Sequence, residues 1–563
     1  MEMNVKAEYP WLKNYPDSVP QEIDPHHYAS LVDLFEECFQ KYSDLPAFEC
    51  MGKVISYREL DKLSLDFAAY LQQELHLKKG DRIAVQMPNL LQYPVVAFGA
   101  LRAGLVVVNT NPLYTAREME HQFKDSGAKA IVILANFASN LEKIIHNTAI
   151  KSVMITEIGD MLGGLKGGVV NFVVKNVKKM VPSYHLPQGI KFKDSLKKGA
   201  KLKLNKPTME GKDTACLQYT GGTTGVSKGA VLTHTNLVAN VEQMCVWTKV
   251  KLNEREEVVI TALPLYHIYA FTVNCLAMFK FGSKNVLITN PRDQKAFIKE
   301  LKKHPFTVLT GVNTLYNALL NNPEFAKLDF SHFKVASAGG MAVQQVVAEK
   351  CRQITGVSIS EGYGLTETSP VLTSNLIEGD IKTGFIGVPL PSTQLMIADD
   401  NEQEVPIGEP GEIYAKGPQV MSGYWQKEEE SRNVFSKDGW FKTGDIGVME
   451  ADGYVKIVDR KKEMINVSGF NVYPNEIENV VAAHPKVLEV GAIGVPDDKS
   501  TEIVKVCVVK KDPSLTAEEL KAYCKENMTA YKVPKIIEFR DELPKSNVGK
   551  ILRRLLKEGE TMV

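Results

Sequence analysis

The stretch YTGGTTGVSKG, residues 219–229, is made almost entirely of glycine and hydroxyl-bearing residues and carries a single cation, Lys228. Glycines let backbone N–H groups converge on an anion, while threonine hydroxyls and a lysine add donors and positive charge. The stretch therefore predicts a phosphate-binding loop. The alternative is a surface turn that happens to be rich in threonine and glycine.

The flanking residues favour the phosphate loop. CLQY, residues 216–219, has the composition of a short strand, and AVLTHTNLVANVEQM, residues 230–244, has a helical spacing of apolar residues with Thr233 or Thr235 as N-cap. A Walker A loop requires Ser or Thr after its lysine, and here Gly229 follows Lys228. The stretch is therefore not an ordinary P-loop. A strand, a glycine loop and a helix in this order still suit the phosphate tail of a nucleotide.

The length and composition exclude several classes of protein. A chain of 563 residues predicts at least two domains, and 67 basic against 67 acidic residues give no net charge, which argues against a general nucleic-acid binder. The cysteines form no C-x-x-C pair, so we expect reduced, partly buried thiols. They are Cys38, Cys50, Cys216, Cys245, Cys275, Cys351, Cys507 and Cys524.

The sequence also predicts a location. No signal peptide is evident at the amino terminus, and no run reaches the ~18 apolar residues of a membrane span. We expect a cytoplasmic protein, at most peripheral on the inner face of the cytoplasmic membrane. The oligomeric state is open, with a homodimer among the alternatives.

The pattern of apolar runs predicts an α/β fold. Strand-like runs such as DRIAVQM and AIVIL alternate with helical stretches, as in layered, mostly parallel sheets. We expect a large domain over residues 1–459, with a small β-rich subdomain over about 384–459. A compact α+β domain follows over 460–563.

Residues 161–203 depart from this pattern, with ten lysines against one acid, Asp194. On a helical projection one face is apolar, and Asn171 with three lysines lies opposite. The apolar positions are Leu162, Leu165, Val169, Val173, Val177 and Met180, and the lysines are Lys175, Lys178 and Lys179. Such a helix either lies on an anionic membrane or packs on its own domain with a solvated charged face.

Further motifs follow the glycine loop in a fixed order. They are ASAGG (336–340), EGYGLTET (361–368), GWFKTGD (439–445), DRKKEMI (459–465) and LPKSNVGK (543–550). A single acid in one of these loops is ordinarily just exposed. In order and content, however, the motifs resemble the adenylate-forming superfamily of acyl-CoA synthetases, luciferases and peptide-synthetase adenylation domains. The resemblance covers the chain from about Leu31 onward. SGFNVYPNEIE resembles the signature of fatty acyl-CoA synthetases, and the amino-terminal YPWLKNYPDSVPQEIDPHHY with the lysine-rich insertion resembles the bacterial long-chain fatty acid–CoA ligases.

The resemblance implies a role for each motif in adenylating a carboxylic acid with ATP. Thr223 and Glu367 would ligate or position Mg²⁺, Lys550 would reach the α-phosphate and the carboxylate, and Tyr363 would stack on adenine. Asp445 would accept hydrogen bonds from the ribose hydroxyls, with Arg460 beside it. The remaining nucleotide-binding positions would be Thr220, Gly221, Gly222, Thr224, Gly225, Lys228, Ser337, Gly339, Gly340, Gly364 and Thr366.

The resemblance also implies a second step, in which the small domain rotates about Lys462 and the thiol of coenzyme A attacks the acyl-adenylate. Gly469 would then approach the pantetheine. LPLYHIYAF, residues 263–271, lies near the acyl pocket; His267 either packs or touches the carboxylate or phosphate, and Phe271 stands where the family can carry a gating tryptophan. The expected substrates are a fatty acid, ATP and coenzyme A. An aryl or medium-chain acid, or delivery to a carrier protein, are the alternatives.

Overall fold

A computed structural model describes residues 9–220, 227–379, 381–468, 470–497, 500–546 and 549–558 of the chain. Three sheets belong to the first 460 residues and one to the rest. The described strands are β1 (Pro46–Cys50), β2 (Lys53–Ser56), β3 (Arg82–Gln86), β4 (Val106–Asn109), β5 (Ala130–Leu134), β6 (Ser152–Thr156), β7 (Gly189–Lys191), β8 (Thr214–Thr220), β9 (Lys228–Thr233), β10 (Val258–Thr261), β11 (Lys284–Leu287), β12 (Val308–Gly311), β13 (Val335–Ala338), β14 (Ile359–Gly364), β15 (Val371–Ser374), β16 (Val388–Pro389), β17 (Gln394–Ala398), β18 (Gly411–Lys416), β19 (Phe441–Met449), β20 (Val455–Arg460), β21 (Ile465–Val467), β22 (Phe470–Val472), β23 (Val487–Asp497), β24 (Thr501–Lys510) and β25 (Ile536–Phe539).

Helices cover the faces of these sheets. The described α-helices are α1 (Leu31–Lys41), α2 (Tyr57–Gln73), α3 (Gln92–Arg102), α4 (Ala116–Ser126), α5 (Ala138–Ile144), α6 (Gly164–Phe172), α7 (Phe192–Gly199), α8 (His234–Thr248), α9 (Met278–Lys280), α10 (Gln294–Leu301), α11 (Asn313–Leu320), α12 (Gln345–Thr355), α13 (Glu428–Asn433), α14 (Pro474–Ala482), α15 (Ala517–Asn527) and α16 (Arg553–Glu558). Val173–Val177 and Ala270–Ala277 are π-helical, and short 3₁₀ turns cover Leu12–Asn14, Ala135–Phe137, Ile145–Asn147 and Thr366–Thr368.

Two large sheets form the layered part of the fold. One has the order β7-β6-β5-β3-β4-β8-β9, and the other β16-β15-β14-β13-β12-β10-β11-β1-β2. Their central strands pair in parallel, and antiparallel pairs occur towards the edges, as between β8 and β9. Strands covered on both faces are apolar throughout, as in β5, where all five residues are buried. This arrangement confirms the α/β class expected from the sequence.

The later sheets are smaller. An antiparallel sheet of order β17-β18-β19-β20 ends at Arg460, and the last sheet, β22-β21-β24-β23 with β25 beside β24, begins at Ile465. The last sheet has its own apolar core against α14 and α15, which includes Ile477 and Leu520. Lys462 therefore lies in the short connection between two separately packed sheets.

The segment after the glycine loop differs from the expected strand, loop and helix. Within the described residues, β8 ends at Thr220 and the chain resumes as β9, which pairs antiparallel with β8 before α8 begins. Thr233 is the N-cap of α8, and its hydroxyl accepts from the backbone N–H of Asn236 at 3.2 Å. β8 and β9 are thus an antiparallel pair ahead of α8, because the apolar residues after Lys228 suit a strand as well as a helix start.

None of the helices in the described ranges is both long enough and apolar enough to cross a bilayer.

Candidate active site

The predicted site residues line one cavity of about 2050 Å³ between the large sheets, the antiparallel sheet and the last domain. In a parallel sheet the loops after the strands meet at one edge, which is where such sheets place their ligands. The lining includes Thr220, Lys228, His267, Ser337, Gly339, Gly340, Tyr363, Gly364, Thr366, Glu367, Arg460, Lys462 and Lys550. Six motifs that are far apart in sequence are therefore brought together.

The glycine loop is described only at its two ends. Gly221, Gly222, Thr223, Thr224 and Gly225 lie outside the described residues. Ser227 Oγ donates to the carbonyl oxygen of Thr220 at 2.6 Å, which ties the two ends of the loop together. Lys228 Nζ lies 5.2 Å from the ring centroid of Tyr424, so its ammonium is held over an aromatic face at the rim of the cavity.

A buried carboxylate, Asp445 on β19, contacts two residues that line the cavity, Tyr363 and Arg460. Its Oδ2 accepts from Tyr363 Oη at 2.7 Å, and its Oδ1 lies 3.2 Å from Arg460 Nε. Burial, with the charge of Asp445, raises the pKa of Tyr363 well above its usual value, so the phenol stays protonated and donates. Each carboxylate oxygen keeps a further lone pair. The two hydroxyls of a vicinal diol could therefore each donate a hydrogen bond to one of these oxygens.

Close backbone packing explains why the Tyr363 turn contains glycine. A Cβ added to Gly364 would lie 1.8 Å from the carbonyl oxygen of Pro370, so a larger residue would break the turn. On the neighbouring strand β13, Ser337 Oγ lies 3.1 Å from Tyr269 Oη, and Gly340 follows with a φ of 78°. These two turns form a narrow slot beside Tyr363.

Glu367 is the second buried acid in the cavity. Its Oε1 accepts from Tyr424 Oη at 2.7 Å, and its backbone carbonyl accepts from the N–H of Met421 at 2.7 Å. Burial raises the pKa of Glu367 above its usual value. A nearby cation would offset that burial, and a carboxylate oxygen is a ligand that Mg²⁺ prefers.

His267 also lines this cavity. Its Nδ1 accepts from the backbone N–H of Tyr269 at 3.3 Å, which leaves the ring proton of the neutral form on Nε2. Burial, followed by the charge of Lys550, lowers the pKa of His267 to about 4. At neutral pH the ring is therefore an uncharged donor through Nε2.

Lys550 enters the cavity from the last domain. The carbonyl oxygen of the preceding residue, Gly549, accepts from Thr314 Oγ1 of the large domain at 2.9 Å, which anchors the lysine loop. Burial, followed by the charge of Arg460, lowers the pKa of Lys550 to about 8, while Asp445 and Glu463 act in the opposite sense. An anion bound beside Lys550 would therefore stabilise its charged form.

The apolar lining of the cavity does not include Phe271, the residue that the sequence predicted for the acyl pocket. Phe271 is fully buried and meets the ring of Tyr93 edge to face, with 6.4 Å between centroids. Apolar side chains that do line the cavity include Met244, Val273, Leu365 and Val371. Met244, Val273 and Val371 come from α8, the π-helical segment and β15, and only Leu365 belongs to a quoted motif, EGYGLTET. Gly469, predicted for the coenzyme A step, lies outside the described residues.

Three further residues were not singled out from the sequence. Tyr424 contacts both Glu367 and Lys228, Glu361 is a buried acid two residues before Tyr363 on β14, and Arg553 lies three residues after Lys550. Burial raises the pKa of Glu361 to about 8. Glu361 and Arg553 stand inside or beside quoted motifs, whereas the tyrosine carries no signal of its own because its contacts come from distant segments.

Comparison with known proteins agrees with this geometry. A model of the AMP-binding enzyme family matches residues 35–425, and a model of the AMP-binding enzyme C-terminal domain matches residues 476–550. The chain belongs to the AMP-binding enzyme family, the adenylate-forming class expected from its motifs.

Individual relatives narrow the resemblance. A long-chain-fatty-acid–CoA ligase of Escherichia coli is 58% identical over 97% of this chain and 98% of its own length. The enzyme of the same name from Bacillus subtilis is 38% identical, with 99% of each chain covered.

Solved structures share the fold. ATP-bound MatB from Rhodopseudomonas palustris has a TM-score of 0.80 and 29% identity over 94% of this chain and 99% of its own. The anthranilate CoA ligase AuaEII in complex with anthranoyl-AMP has a TM-score of 0.85 at 24% identity, over 96% and 99% of the two chains, and supports the fold.

Proposed function

We propose that this chain is an AMP-forming long-chain fatty acid–CoA ligase. It would convert a fatty acid and ATP to acyl-AMP and pyrophosphate, then acyl-AMP and coenzyme A to acyl-CoA and AMP. The observation that carries the proposal is that Lys550 and Glu367 line one cavity together with Tyr363 and Arg460, both of which contact the buried Asp445. The long-chain ligases that match nearly the whole chain support the choice of substrate.

The first step requires an anion to attack an anion. The carboxylate of the fatty acid must approach the α-phosphate, and charge builds on the phosphoryl oxygens and the leaving pyrophosphate. Lys550 would neutralise the oxygens on both sides of the new bond, and the Nε2–H of His267 would donate to one of them. Lys228 and the donors of the glycine loop would hold the pyrophosphate.

Asp445, Arg460 and Tyr363 would fix the nucleoside. The Asp445 carboxylate would accept from both ribose hydroxyls, and the slot between Tyr363 and the turn of Ser337, Gly339 and Gly340 would take the adenine. A fixed nucleoside places the α-phosphate opposite the carboxylate, which lowers the entropic cost of the reaction.

Mg²⁺ would be held by Glu367 and Thr223 together with the phosphates. When bound, it would supply positive charge against the phosphate oxygens. Tyr424 would keep the carboxylate of Glu367 turned towards that position, and Gly364 and Thr366 would shape the loop that carries the acid.

The second step requires a thiol to reach the acyl carbonyl after pyrophosphate leaves. With Lys550 seated in the cavity, one approach is covered by the last domain. Rotation of that domain about Lys462 would withdraw Lys550 and open a route in which Gly469 faces the pantetheine. The position of Lys462 between two separately packed sheets supports this hinge.

The apolar lining supports a fatty acyl group over an aryl acid. Met244, Val273, Leu365 and Val371 offer aliphatic surface next to His267, and each buried methylene contributes roughly 0.8 kcal/mol. Delivery of the acyl group to a carrier protein is the second alternative, and it uses the same first step.

Product analysis tests the proposal. The protein is incubated with Mg-ATP and acids from acetate to oleate, with and without coenzyme A, and AMP, ADP, pyrophosphate and thioester are resolved. We expect AMP, pyrophosphate and a long-chain acyl-CoA. Release of AMP without a thioester would move the acceptor to a carrier protein, and formation of ADP would overturn the assignment.

A peripheral membrane contact is a second proposal, carried by the exposed apolar side chains of residues 164–180. Gly167 and Asn171 face the domain, and Asn171 Oδ1 accepts from the N–H of Gly159 at 2.7 Å. The opposite side exposes Leu165, Val169, Phe172, Val177 and Met180, of which Leu165 is 87% exposed. The exposed lysines Lys175, Lys178 and Lys179 suit anionic headgroups.

Vesicle co-sedimentation tests this contact. Leu165→Glu with Phe172→Glu is expected to lower binding to phosphatidylglycerol vesicles roughly tenfold or more, because two apolar side chains no longer enter the interface. Ile407→Glu, which alters an exposed apolar residue elsewhere, is the control. Equal binding to phosphatidylcholine vesicles, or an unchanged double variant, would contradict the proposal. A homodimer stays a prediction, and sedimentation velocity would test it.

A further inference from the structure

Arg553, the first residue of α16, uses all five N–H donors of its guanidinium. Nε and Nη2 donate to the two oxygens of Glu478 at 2.9 and 2.8 Å, and Nη2 also donates to Asn475 Oδ1 at 2.5 Å. Nη1 donates to Glu463 Oε2 at 2.7 Å and to Asp459 Oδ1 at 3.0 Å. A side chain satisfied so completely fixes its surroundings, since any shift loses several charge-assisted bonds.

These four partners divide between the two sides of Lys462. Glu463, Asn475 and Glu478 follow the lysine and belong to the last domain. Asp459 precedes it on β20, where Asp459 pairs with Ile446 of β19 in the antiparallel sheet. A rotation about Lys462 therefore preserves three of the partners of Arg553 and separates it from the fourth.

Asp459 is well placed to respond to that rotation. It is only 1% exposed, its Oδ1 accepts from the backbone N–H of Arg460 at 2.7 Å, and its Oδ2 accepts from the backbone N–H of Asn475 at 2.8 Å. Its contacts with Asn475 and Arg553 both come from the last domain. Two bonds across the hinge thus end on one buried carboxylate.

The same contacts bear on Lys550. Arg553 lies three residues after it, at the start of α16, and the intervening Ile551 pairs with Lys545 to close the lysine loop. Thr314 holds Gly549 from the other side of the cavity. With Arg553 bound to Asp459, the loop is fixed at both ends, and Lys550 points into the cavity.

We propose that Asp459 is a positioning residue for the adenylation step: it binds Arg553 and the backbone of Asn475 across the hinge, holds Lys550 in the cavity, and releases both partners before thioester formation. Asp459 touches neither substrate. The inference rests on the proposed two-step function and adds to it a named latch for the first of the two domain positions.

The test separates the two half-reactions in the full-length protein. Adenylation is followed by ATP–pyrophosphate exchange with the acid that the wild type uses best, and thioester formation is followed from synthetic acyl-adenylate and coenzyme A. For Asp459→Asn, which removes the charge but keeps the shape, we expect exchange to fall roughly 10- to 100-fold. Thioester formation should stay within about twofold of the wild type or rise.

Two variants guard against a merely structural effect. Glu478→Gln weakens Arg553 from within the last domain, so it should not produce the preferential loss of adenylation. Asp459→Glu keeps the charge and should recover part of the exchange rate. Thermal unfolding of each variant shows whether the fold is retained.

If Asp459→Asn does not fold, Arg553→Lys approaches the pair from the other side. A lysine keeps the charge but cannot reach Asp459 and Glu478 together, so adenylation should again fall more than thioester formation. Equal loss of both half-reactions, no loss in either, or the same split in Glu478→Gln would overturn the inference. A wild type without exchange activity for any acid would instead refute the proposed function.

Discussion

The two sides of the cavity are built differently. On the large-domain side, Asp445 on β19, Tyr363 on β14 and Glu367 in the turn after β14 hydrogen-bond to side chains of other sheets or loops. On the opposite side, Lys550 stands on a short loop held across the domain boundary by Thr314 on Gly549 and by Asp459 on Arg553. On the proposed mechanism, groups that both half-reactions need are fixed in the large domain, whereas the group that only the first step needs would leave with its domain.

Replacing Lys550 tests the difference between the two sides of the cavity most directly. Lys550→Ala should lower adenylation about 10²- to 10³-fold, because a charged donor to the reacting oxygens is lost, while thioester formation from acyl-adenylate stays near the wild-type rate. ATP–pyrophosphate exchange and acyl-CoA formation measure the two. Lys535→Ala, at an exposed position of the same domain, is the control. A parallel loss of both steps would mean that Lys550 is not confined to the first.

A large-domain residue should behave in the opposite way. Asp445→Ala is expected to weaken ATP and AMP binding roughly 10- to 100-fold and to slow both half-reactions, because both use the nucleoside. Calorimetry with AMP gives the binding change without turnover. The exposed acid Glu409 offers a matched substitution, Glu409→Ala. If only adenylation suffered, the division between the two sides of the cavity would be wrong.

The pH dependence of the two steps should also differ. With a lowered pKa of about 8, Lys550 loses its proton as the pH rises through 8, and its neutral amine no longer neutralises the phosphate oxygens. Adenylation should therefore fall about tenfold between pH 7 and pH 9, and thioester formation from acyl-adenylate should not follow that titration. Lys550→Arg stays charged and should flatten the profile. A decline that persisted in this variant would point to another group.

The smallest effect is expected at Tyr424. Tyr424→Phe keeps the ring beneath Lys228 but removes the hydroxyl from Glu367, so the affinity for Mg-ATP should fall about 2- to 10-fold. Binding of ATP measured with and without Mg²⁺ separates an effect through Glu367, the proposed metal ligand, from an effect through Lys228. Tyr523→Phe, on α15 away from the cavity, is the comparison. An equal change without Mg²⁺ would show that the hydroxyl does not act through Glu367.

Local sequence predicted much of this architecture. Buried strands such as β5 are apolar runs, Thr233 reads as a helix cap, and the ordered motifs around Tyr363, Asp445 and Lys550 stand as expected around one cavity. The roles of these residues and the limits of the two domains stay predictions. The hairpin after the glycine loop was missed, because the apolar run of three residues, 230–232, does not distinguish a strand from the start of a helix.

Contacts between distant segments were beyond the reach of the sequence. Tyr424 reaches Glu367 across 57 residues, and Arg553 reaches Asp459 across 94. Neither pair has a spacing that marks it, because the partner of a side chain depends on how whole sheets pack. For the same reason the sequence did not predict which apolar side chains line the cavity, and Phe271 of LPLYHIYAF is not one of them.

The sequence by itself determined the class of chemistry, since the identity and order of its polar motifs specify charges and donors that fit a nucleotide and a carboxylate. The tertiary structure decided which of those groups are buried, and with that the pKa of Lys550, the neutral state of His267 and the contacts of Asp459 with Asn475 and Arg553. The reason is physical: residue type fixes what a group can donate or accept, but only packing fixes its distance from other charges and from water.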